Sequence, residues 1–307
     1  MMNLDDIEKN LIKEVSGVTG VPDGAYNFRL NGKSIGRQSS ENINVDSLTD
    51  KDGLKIIIKP GTKDEAVHIP VIIDASGHKE TVHNEFIIGE GAEVTIVAGC
   101  GIYNCGVDNS MHNGVHVFRV GKNARVRYIE KHYGMGPGAG KILNPTTELY
   151  LEEGAEAELE MEQIKGVDSA NRKTVAELAA GAKIKINERL FTHGRQTVDS
   201  KIQVTLIGED STADIVSRAV ARDKSTQITA LEITGQAKCR GHSECDAILM
   251  DEAKVKATPI LNAANLDAEL VHEAAIGKIA GEQLTKLMTL GLTREQAEAQ
   301  IINGFLK

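Results

Sequence analysis

The sequence lacks tryptophan and is poor in aromatic residues, although it is long enough for one large domain or two ordinary ones. Of its 307 residues, 3% are aromatic and 41% are hydrophobic. Val, Ile, Leu and Ala must therefore fill the core. Such a core suits stacked strands better than a cleft for sugars or bases, because those ligands bind against flat aromatic faces. This counts against a β-helix enzyme such as a polysaccharide lyase.

Excess positive charge and long apolar runs are also missing. The formal net charge is −9, whereas a nucleic-acid partner requires a basic surface. No run approaches the roughly 18 apolar residues that indicate a membrane span, and residues 1–10 lack the apolar centre of a signal peptide. We therefore expect a cytoplasmic protein without membrane or nucleic-acid partners. In that compartment its four cysteines favour free thiols, metal ligands or reactive groups over disulfides.

A repeat runs through the middle of the chain, in which a small-residue turn ending in alanine precedes an alternating strand. The alternation has a period of two, which excludes a helical repeat, and the spacing is too short for a four-stranded propeller blade. The repeat alanines, 27 to 32 residues apart, are Ala92, Ala124, Ala155, Ala182 and Ala213. Second strands are predicted between them at residues 115–118, 147–150, 174–177 and 202–205.

This periodicity predicts a right-handed parallel β-helix, flattened so that each coil has two strands. The β-helix core is placed at residues 23–279, with helical segments at 1–22 and 280–307. Each coil buries its apolar row only by stacking on its neighbours, so both ends need caps. The open strand edges are either a liability or a pairing surface for another β-helix.

Both terminal segments show helical periodicity. Apolar residues recur at helical spacing from Leu4 to Val15. Near the C-terminus, Gly291 separates two helices, and Thr293 with Gln296 has the spacing of a capping box. These last helices cap the β-helix, dock on a partner, or do both.

A glycine-rich segment at residues 134–142 superficially resembles a phosphate-binding loop. Met135 occupies the position of the first required glycine, and Ile142 replaces the hydroxyl residue that would hold magnesium. We interpret the segment as a turn between coils. We predict no catalytic residues and no enzymatic turnover, and any ATP hydrolysis is expected in a partner subunit.

Metal-ligand residue types concentrate in the last third of the chain. Residues 239–246 (CRGHSECD) and the pair His272-Glu273 contain two thiols, two imidazoles and several carboxylates. Residues 241–250, 270–279 and 282–284, together with the tail 301–305, resemble the SufB/SufD family of iron–sulfur cluster assembly proteins. The resemblance extends from about Val94 to the C-terminus, and its two main motifs occur in order.

The resemblance implies a β-helix core flanked by helices, which assembles with a second copy or a paralogue. It also implies an ABC-type ATPase bound to the C-terminal helices and apo iron–sulfur proteins as recipients. The chain is shorter than the usual B subunit and lacks its long N-terminal part. A B-like scaffold, a D-like partner that holds no cluster, and a compact form that pairs with itself therefore all remain open.

The resemblance places the cluster-linked cysteine of the family on Cys245 and its acidic ligand on Glu273. A mixed thiolate and carboxylate site holds a transient cluster less firmly than four thiolates, which suits a donor scaffold. His272 is adjacent and is either a ligand or an interface histidine. Neighbouring residues on a strand point to opposite faces, so we expect the site at a protomer edge.

The remaining thiols give weaker signals. Cys239 lies six residues before Cys245 and is either an additional thiol near the site or a core residue. Cys100 and Cys105 form a C-x4-C pair, which is a weak metal motif, and buried or loop thiols are the simpler interpretation. The alternative is a sulfur-relay role, which requires a partly exposed thiolate of lowered pKa.

Overall fold

Alternating apolar and polar residues produce strands over most of the chain. The structure is a computed structural model that describes residues 4–138 and 140–307, without the side chain of Ile164. Ala139, inside the glycine-rich segment interpreted above as a turn, lies outside the described residues. The helices are α1 (Asp6–Ser16), α2 (Gly281–Thr289) and α3 (Arg294–Phe305). The strands are β1 (Ala25–Leu30), β2 (Lys33–Gln38), β3 (Ile43–Ser47), β4 (Gly53–Ile58), β5 (Glu65–Ile73), β6 (Lys79–Ile88), β7 (Glu93–Tyr103), β8 (Ser110–Val120), β9 (Arg125–Met135), β10 (Lys141–Leu143), β11 (Thr146–Leu151), β12 (Glu156–Lys165), β13 (Ser169–Leu178), β14 (Lys183–Thr192), β15 (Thr197–Leu206), β16 (Thr212–Ala221), β17 (Thr226–Gly235), β18 (Cys239–Leu249), β19 (Lys254–Ala263) and β20 (Ala268–Gly277).

Successive strands alternate between two stacked sheets. In the described part of the chain each sheet has ten strands. Sheet A follows the order β2-β1-β5-β7-β9-β12-β14-β16-β18-β20. Sheet B follows the order β19-β17-β15-β13-β10-β8-β6-β4-β3, with β11 paired to β8 and β13. From β5 onward all sheet neighbours are parallel. The predicted parallel solenoid with two strands per coil is confirmed.

The alanines of the repeat are buried at the turns that enter sheet A. Ala124 and Ala182 are 0% exposed, and their amides donate to the carbonyls of Gly121 and Ala179. The prediction that Ala213 is the next alanine of the repeat is wrong. Lys183 pairs with Thr212, so the counterpart of Ala182 is Ser211, whereas Ala213 lies inside β16. The small hydroxyl side chain of Ser211 fits the same buried corner because it donates to the Gly208 carbonyl at 2.7 Å.

Aliphatic rows fill the lumen between the sheets. In sheet A, Ile96, Leu159, Ile186 and Ile215 belong to one row that crosses successive strands, and all are 0% exposed. Burying one such side chain contributes about 1.5–3 kcal/mol. The stability of each coil therefore depends on the coils beside it.

Antiparallel hairpins close the N-terminal end. β1 pairs with β2 and β3 with β4, both antiparallel. Helix α1 lies on the outer face of sheet A, where Leu11 and Val15 pack in a cluster with Ile72 and Tyr133. The predicted N-terminal helix is therefore present and packs against the first coils, and the hairpins end the two sheets.

The C-terminal helices also lie beside the solenoid. The predicted capping box of α3 is confirmed, since Thr293 and Gln296 bond reciprocally. A cavity is lined by α3 together with Phe191 of β14 and Arg222, which directly follows β16. The C-terminal helical segment predicted from the sequence is therefore present. In the described part of the chain, β19 and β20 each end their sheet with one edge unpaired.

The glycine-rich segment does not offer a free lysine for phosphate. Lys141 is 5% exposed, and its Nζ lies 2.5 Å from the Gly138 carbonyl and 3.0 Å from Asp168. Among the described residues, no helix has the length and apolar character needed to cross a membrane.

Candidate functional site

Cys245 and Glu273 lie on opposite faces of sheet A within one protomer. On the neighbouring strands β18 and β20, Cys245 pairs with Ala274 and Glu244 pairs with Glu273. Cys245 points into the lumen and is 4% exposed, whereas Glu273 is exposed on the outer face. The two residues therefore come together only around the free edge of β20 or with the help of another chain.

His272 shares the lumen face with Cys245. It pairs with Ser243, and Ser243 Oγ lies 2.8 Å from His272 Nδ1. His272 Nε2 is buried and has no hydrogen-bond partner among the described residues. Burial and the nearby His242 lower the pKa of His272, so the imidazole is neutral and offers one uncommitted nitrogen at the last strand of the sheet.

The environment of Cys245 favours the protonated thiol over the thiolate. Burial, followed by the charges of Glu188, Asp246 and Glu244, raises its pKa to about 12. It is therefore a poor free nucleophile at neutral pH. A metal ion that binds it must displace the proton, which makes the affinity pH-dependent.

A second group of charged residues lies on the outer face of the same strands. His242 Nδ1 is 2.9 Å from Asp214 Oδ1, and Glu244 is 3.8 Å from Arg218. Burial and a hydrogen bond with Asp246 raise the pKa of Glu244. Glu273 joins this outer group through its pairing with Glu244, so the sheet separates it from the thiol.

Cys239 belongs to the core near the end of the lumen. It is 3% exposed and packs in the main hydrophobic cluster. A Cβ added to Gly235 would lie 2.8 Å from its sulfur, so the thiol fills the space above that glycine. Burial raises its pKa. Its role as an additional ligand stays a prediction.

Cys100 and Cys105 lie far from Cys245 along the solenoid and differ from one another. Cys100 on β7 is 1% exposed and stands beside His132 of β9. Burial, with the charges of Glu80 and Glu130, raises its pKa well above the usual value. Cys105 is exposed in the connection between β7 and β8. Of the two, only Cys105 is open to a sulfur donor in solution.

A buried polar network crosses the lumen, and the sequence interpretation missed it. Arg172 of sheet B donates from Nη2 to Glu130 at 2.9 Å and lies 2.7 Å from His132 Nδ1 through Nη1. Its Nε is 3.3 Å from Glu188. Although burial alone would raise the pKa of Glu130, the neighbouring charges of His132 and Arg172 lower it to about 2. Burial lowers the pKa of His132 to about 3.

The network continues to the row of Cys245. Glu188 accepts hydrogen bonds from Ser200 at 2.6 Å and Ser217 at 2.9 Å. Ser217 is the register partner of Cys245. Ion pairs and hydrogen bonds thus extend from Arg172 as far as Ser217, the strand neighbour of the candidate thiol. The signal was present in the sequence, because Glu130 stands at an inward position of β9 in phase with Val126 and Tyr128.

Comparison with known proteins identifies the family. The family model for the SufBD core domain of SUF system FeS cluster assembly matches residues 71–305. The chain belongs to the SufBD family. An iron-sulfur cluster assembly SufBD family protein of Archaeoglobus fulgidus is 31% identical over 280 residues, which cover 90% of this chain and 73% of the relative. One from Methanocaldococcus jannaschii is 28% identical over 255 residues, which cover 82% and 80%.

A third relative, from Methanothermobacter thermautotrophicus, carries the same description and is longer. It is 30% identical over 233 residues, which are 74% of this chain and 55% of that protein. SufBD membership confirms the resemblance drawn from the motifs and places the protein in iron–sulfur cluster assembly. The ligand roles of Cys245, Glu273, His272 and Cys239 stay predictions.

Proposed function

We propose that this SufBD protein is a cytoplasmic scaffold that builds an iron–sulfur cluster at the open end of its solenoid and passes it to apo-proteins. One observation carries the proposal: His272 Nε2 is buried and unpartnered in the described structure, on the edge strand of sheet A, and faces the same lumen as Cys245. The protein itself has no turnover, and ATP hydrolysis belongs to an ABC-type partner.

The proposed ligands suit an iron–sulfur cluster that is bound only transiently. Cys245 supplies one soft thiolate after losing its proton to the incoming metal, and His272 supplies a nitrogen. Glu273 contributes a carboxylate from the outer side of the same edge strand, where the sheet ends or meets a second copy. Such a mixed set binds iron less firmly than four thiolates. Cys239 is available further along the lumen face.

A second copy fits the open end. The edges of β19 and β20 are unpaired among the described residues, and exposed edges favour pairing with another chain. The last coil also exposes large apolar side chains, namely Ile260, Leu261, Leu266, Val271 and Ile276. A two-fold pairing of these surfaces covers them in both copies and brings two candidate sites to one seam.

The C-terminal helices fit a docking role for the ATPase. Helix α2 has no buried residue. Met288 within the helix is 45% exposed, and Leu290 at its C-terminal end is 75% exposed. An amphipathic helix with a bare apolar face typically binds a groove in a partner. We assign this surface to the ABC-type subunit.

The test is anaerobic reconstitution with ferrous iron and sulfide. The wild-type protein should develop visible sulfur-to-iron charge-transfer bands, which Cys245→Ser abolishes and which His272→Ala and Glu273→Ala each weaken. Cys105→Ser is the matched control, since that thiol lies far from the open end. Bands of unchanged intensity in Cys245→Ser would reject the site.

A D-like role is the second candidate, and the separation of Cys245 from Glu273 by the sheet favours it. In that role the protein holds no cluster and contributes only to the assembly complex. Failure to reconstitute a cluster both alone and with the ATPase subunit, combined with stable binding to that subunit, would select this alternative.

A further inference from the structure

Strand β8 carries two lumen-facing histidines with a glycine between them. His112, Gly114 and His116 occupy alternate positions, so all three face inward. The two histidines are 5% and 6% exposed, and they lie many coils away from Cys245. Neither belongs to the site at the open end.

The glycine leaves a cradle between the two imidazoles. A Cβ placed on Gly114 would lie 3.0 Å from His116 Nε2 and 3.1 Å from His112 Nε2. Both nitrogens therefore point towards the space that any larger residue would occupy. Sheet B is also interrupted beside this position, since β10 ends at Leu143 and β11 begins at Thr146.

Hydrogen bonds on the far side of each ring determine where its proton lies. His112 Nδ1 is 2.9 Å from Glu80 Oε1, and Arg29 Nε donates to the other oxygen of Glu80 at 3.1 Å. A carboxylate held by arginine is an acceptor, so His112 carries its proton on Nδ1. In the neutral ring, Nε2 then presents a lone pair.

The same argument applies to His116. Tyr128 donates its hydroxyl proton to Glu130 at 2.9 Å, and His116 Nδ1 lies 3.4 Å from the Tyr128 oxygen. The oxygen has already given its proton to Glu130, so it accepts from His116 Nδ1. Two bare Nε2 lone pairs therefore face one cradle.

A third acceptor lies beside them. Asn84 pairs in register with His116 on the same inner face and is 4% exposed. Its Oδ1 is buried without a hydrogen-bond partner among the described residues. The hydrogen bonds of the described residues therefore supply no donor to either Nε2 or to Asn84 Oδ1. Three electron-pair donors on one inner face of sheet B call for an electron-poor ligand.

We propose that His112 and His116 bind a divalent transition metal, Fe2+ or Zn2+, in the lumen at Gly114, with Asn84 Oδ1 as a further oxygen ligand. Imidazole suits these ions, and the Glu80–His112 bond is the carboxylate–histidine support that metal-binding histidines use. Metal–nitrogen bonds of about 2.0–2.1 Å require each ring to move by roughly 1 Å towards the ion. The site is separate from the proposed cluster site.

The experiment titrates metal-free protein with Co2+ under anaerobic conditions, in a Cys245→Ser background that removes the proposed cluster ligand. One equivalent should bind with weak d–d bands and without sulfur charge transfer. His112→Gln and His116→Gln should each weaken binding at least 10-fold, in line with the effect of losing even outer-shell support. His193→Gln, at a turn elsewhere, is the matched control.

Gly114→Ala is the sharpest variant, because it keeps every ligand and fills only the cradle. It should abolish binding while circular dichroism stays unchanged. X-ray absorption of the loaded protein should show two imidazole nitrogens. Unaltered affinity in both Gly114→Ala and His116→Gln would overturn the proposal. So would absence of tight binding in the background protein, which would mean that the cradle holds water only.

Cluster reconstitution on otherwise wild-type protein gives an independent readout. His116→Gln should still form the charge-transfer bands expected of the Cys245 site. Failure of the lumen site is thus distinguishable from failure of the proposed function.

Discussion

Arg172 and Glu130 face each other across the lumen from opposite sheets, with Nη2 and Oε2 2.9 Å apart. Their side chains are 4% and 2% exposed, and Glu188 completes a triad around the same guanidinium. The two sheets are therefore joined by charge as well as by apolar packing.

Removing that guanidinium should be costly. Arg172→Ala leaves two carboxylates buried without their cation, and breaking such a pair typically costs about 3–5 kcal/mol. Urea unfolding followed by circular dichroism measures the loss. Arg125→Ala, which removes an exposed arginine from its pairs with Glu93 and Glu156, should leave the midpoint unchanged. Equal effects of the two substitutions would contradict the structural role of Arg172.

Stability should fall as the solution becomes acidic. The pKa of His132 is about 3 in the folded protein against 6.5 when exposed, so between these values only the unfolded chain takes up the proton. The contribution of His132 to the free energy of unfolding is fully present above pH 6.5. It declines towards pH 3 by about 1.4 kcal/mol per pH unit. Glu130, with a folded pKa of about 2 against 4.5, adds a further loss between those two values.

The histidine contribution can be isolated by substitution. In His132→Gln, the free energy of unfolding from urea titrations at pH 7, 6 and 5 should show a slope shallower than that of wild type by close to one proton. Parallel pH profiles for the two proteins would show that His132 takes up a proton equally in both states.

Thiol reactivity should separate the four cysteines. All four lie in the described part of the chain, and Cys105 is exposed whereas Cys100, Cys239 and Cys245 are buried. An aromatic disulfide reagent at pH 8 should modify one thiol rapidly and the other three only on unfolding. Cys105→Ser should remove the rapid phase. A rapid phase that persists in that variant would show that a buried thiol opens readily.

Charge placed on the last coil should prevent pairing of two copies. Val271 on β20 is 51% exposed, and Val271→Lys puts a cation at the proposed seam, where it would be desolvated. Sedimentation velocity should show a dimer for wild type and a monomer for the variant. Ile57→Lys, on β4 near the opposite end of sheet B, is the control because Ile57 is 36% exposed there, and it should stay dimeric.

The sequence was sufficient for the repeating architecture, because alternation within each strand is a local property. The sequence did not show that Cys245 and Glu273 lie on opposite faces of sheet A, because that depends on the number of residues in each coil. Paired residues lie 28 positions apart between β16 and β18, as in Asp214 and His242, but 29 apart between β18 and β20, as in Ser243 and His272. A 28-residue coil would pair Cys245 with Glu273 on the same face, and the one extra residue places Glu273 on the opposite face of the sheet.

The lumen network escaped sequence reasoning for another reason. In the sequence, an inward Glu130 or Arg172 only interrupts the apolar pattern of its strand. In the structure, each residue finds its counter-charge on the opposite sheet. The partners lie 42 positions apart, on different sheets, so no local pattern joins them. Only the stacking of coils shows that each charge is neutralised.

The two ends of the solenoid differ in how readily their strands can pair with another chain. One end finishes in short antiparallel hairpins whose outermost strand β2 carries Lys33 and Arg37. The other end has, in the part of the chain that the structure describes, unpaired strand edges and exposed apolar side chains. Charged, short strands resist further pairing. If two copies pair through their open ends as proposed, both ends are consumed, so this pairing stops at two chains and does not propagate into a fibre.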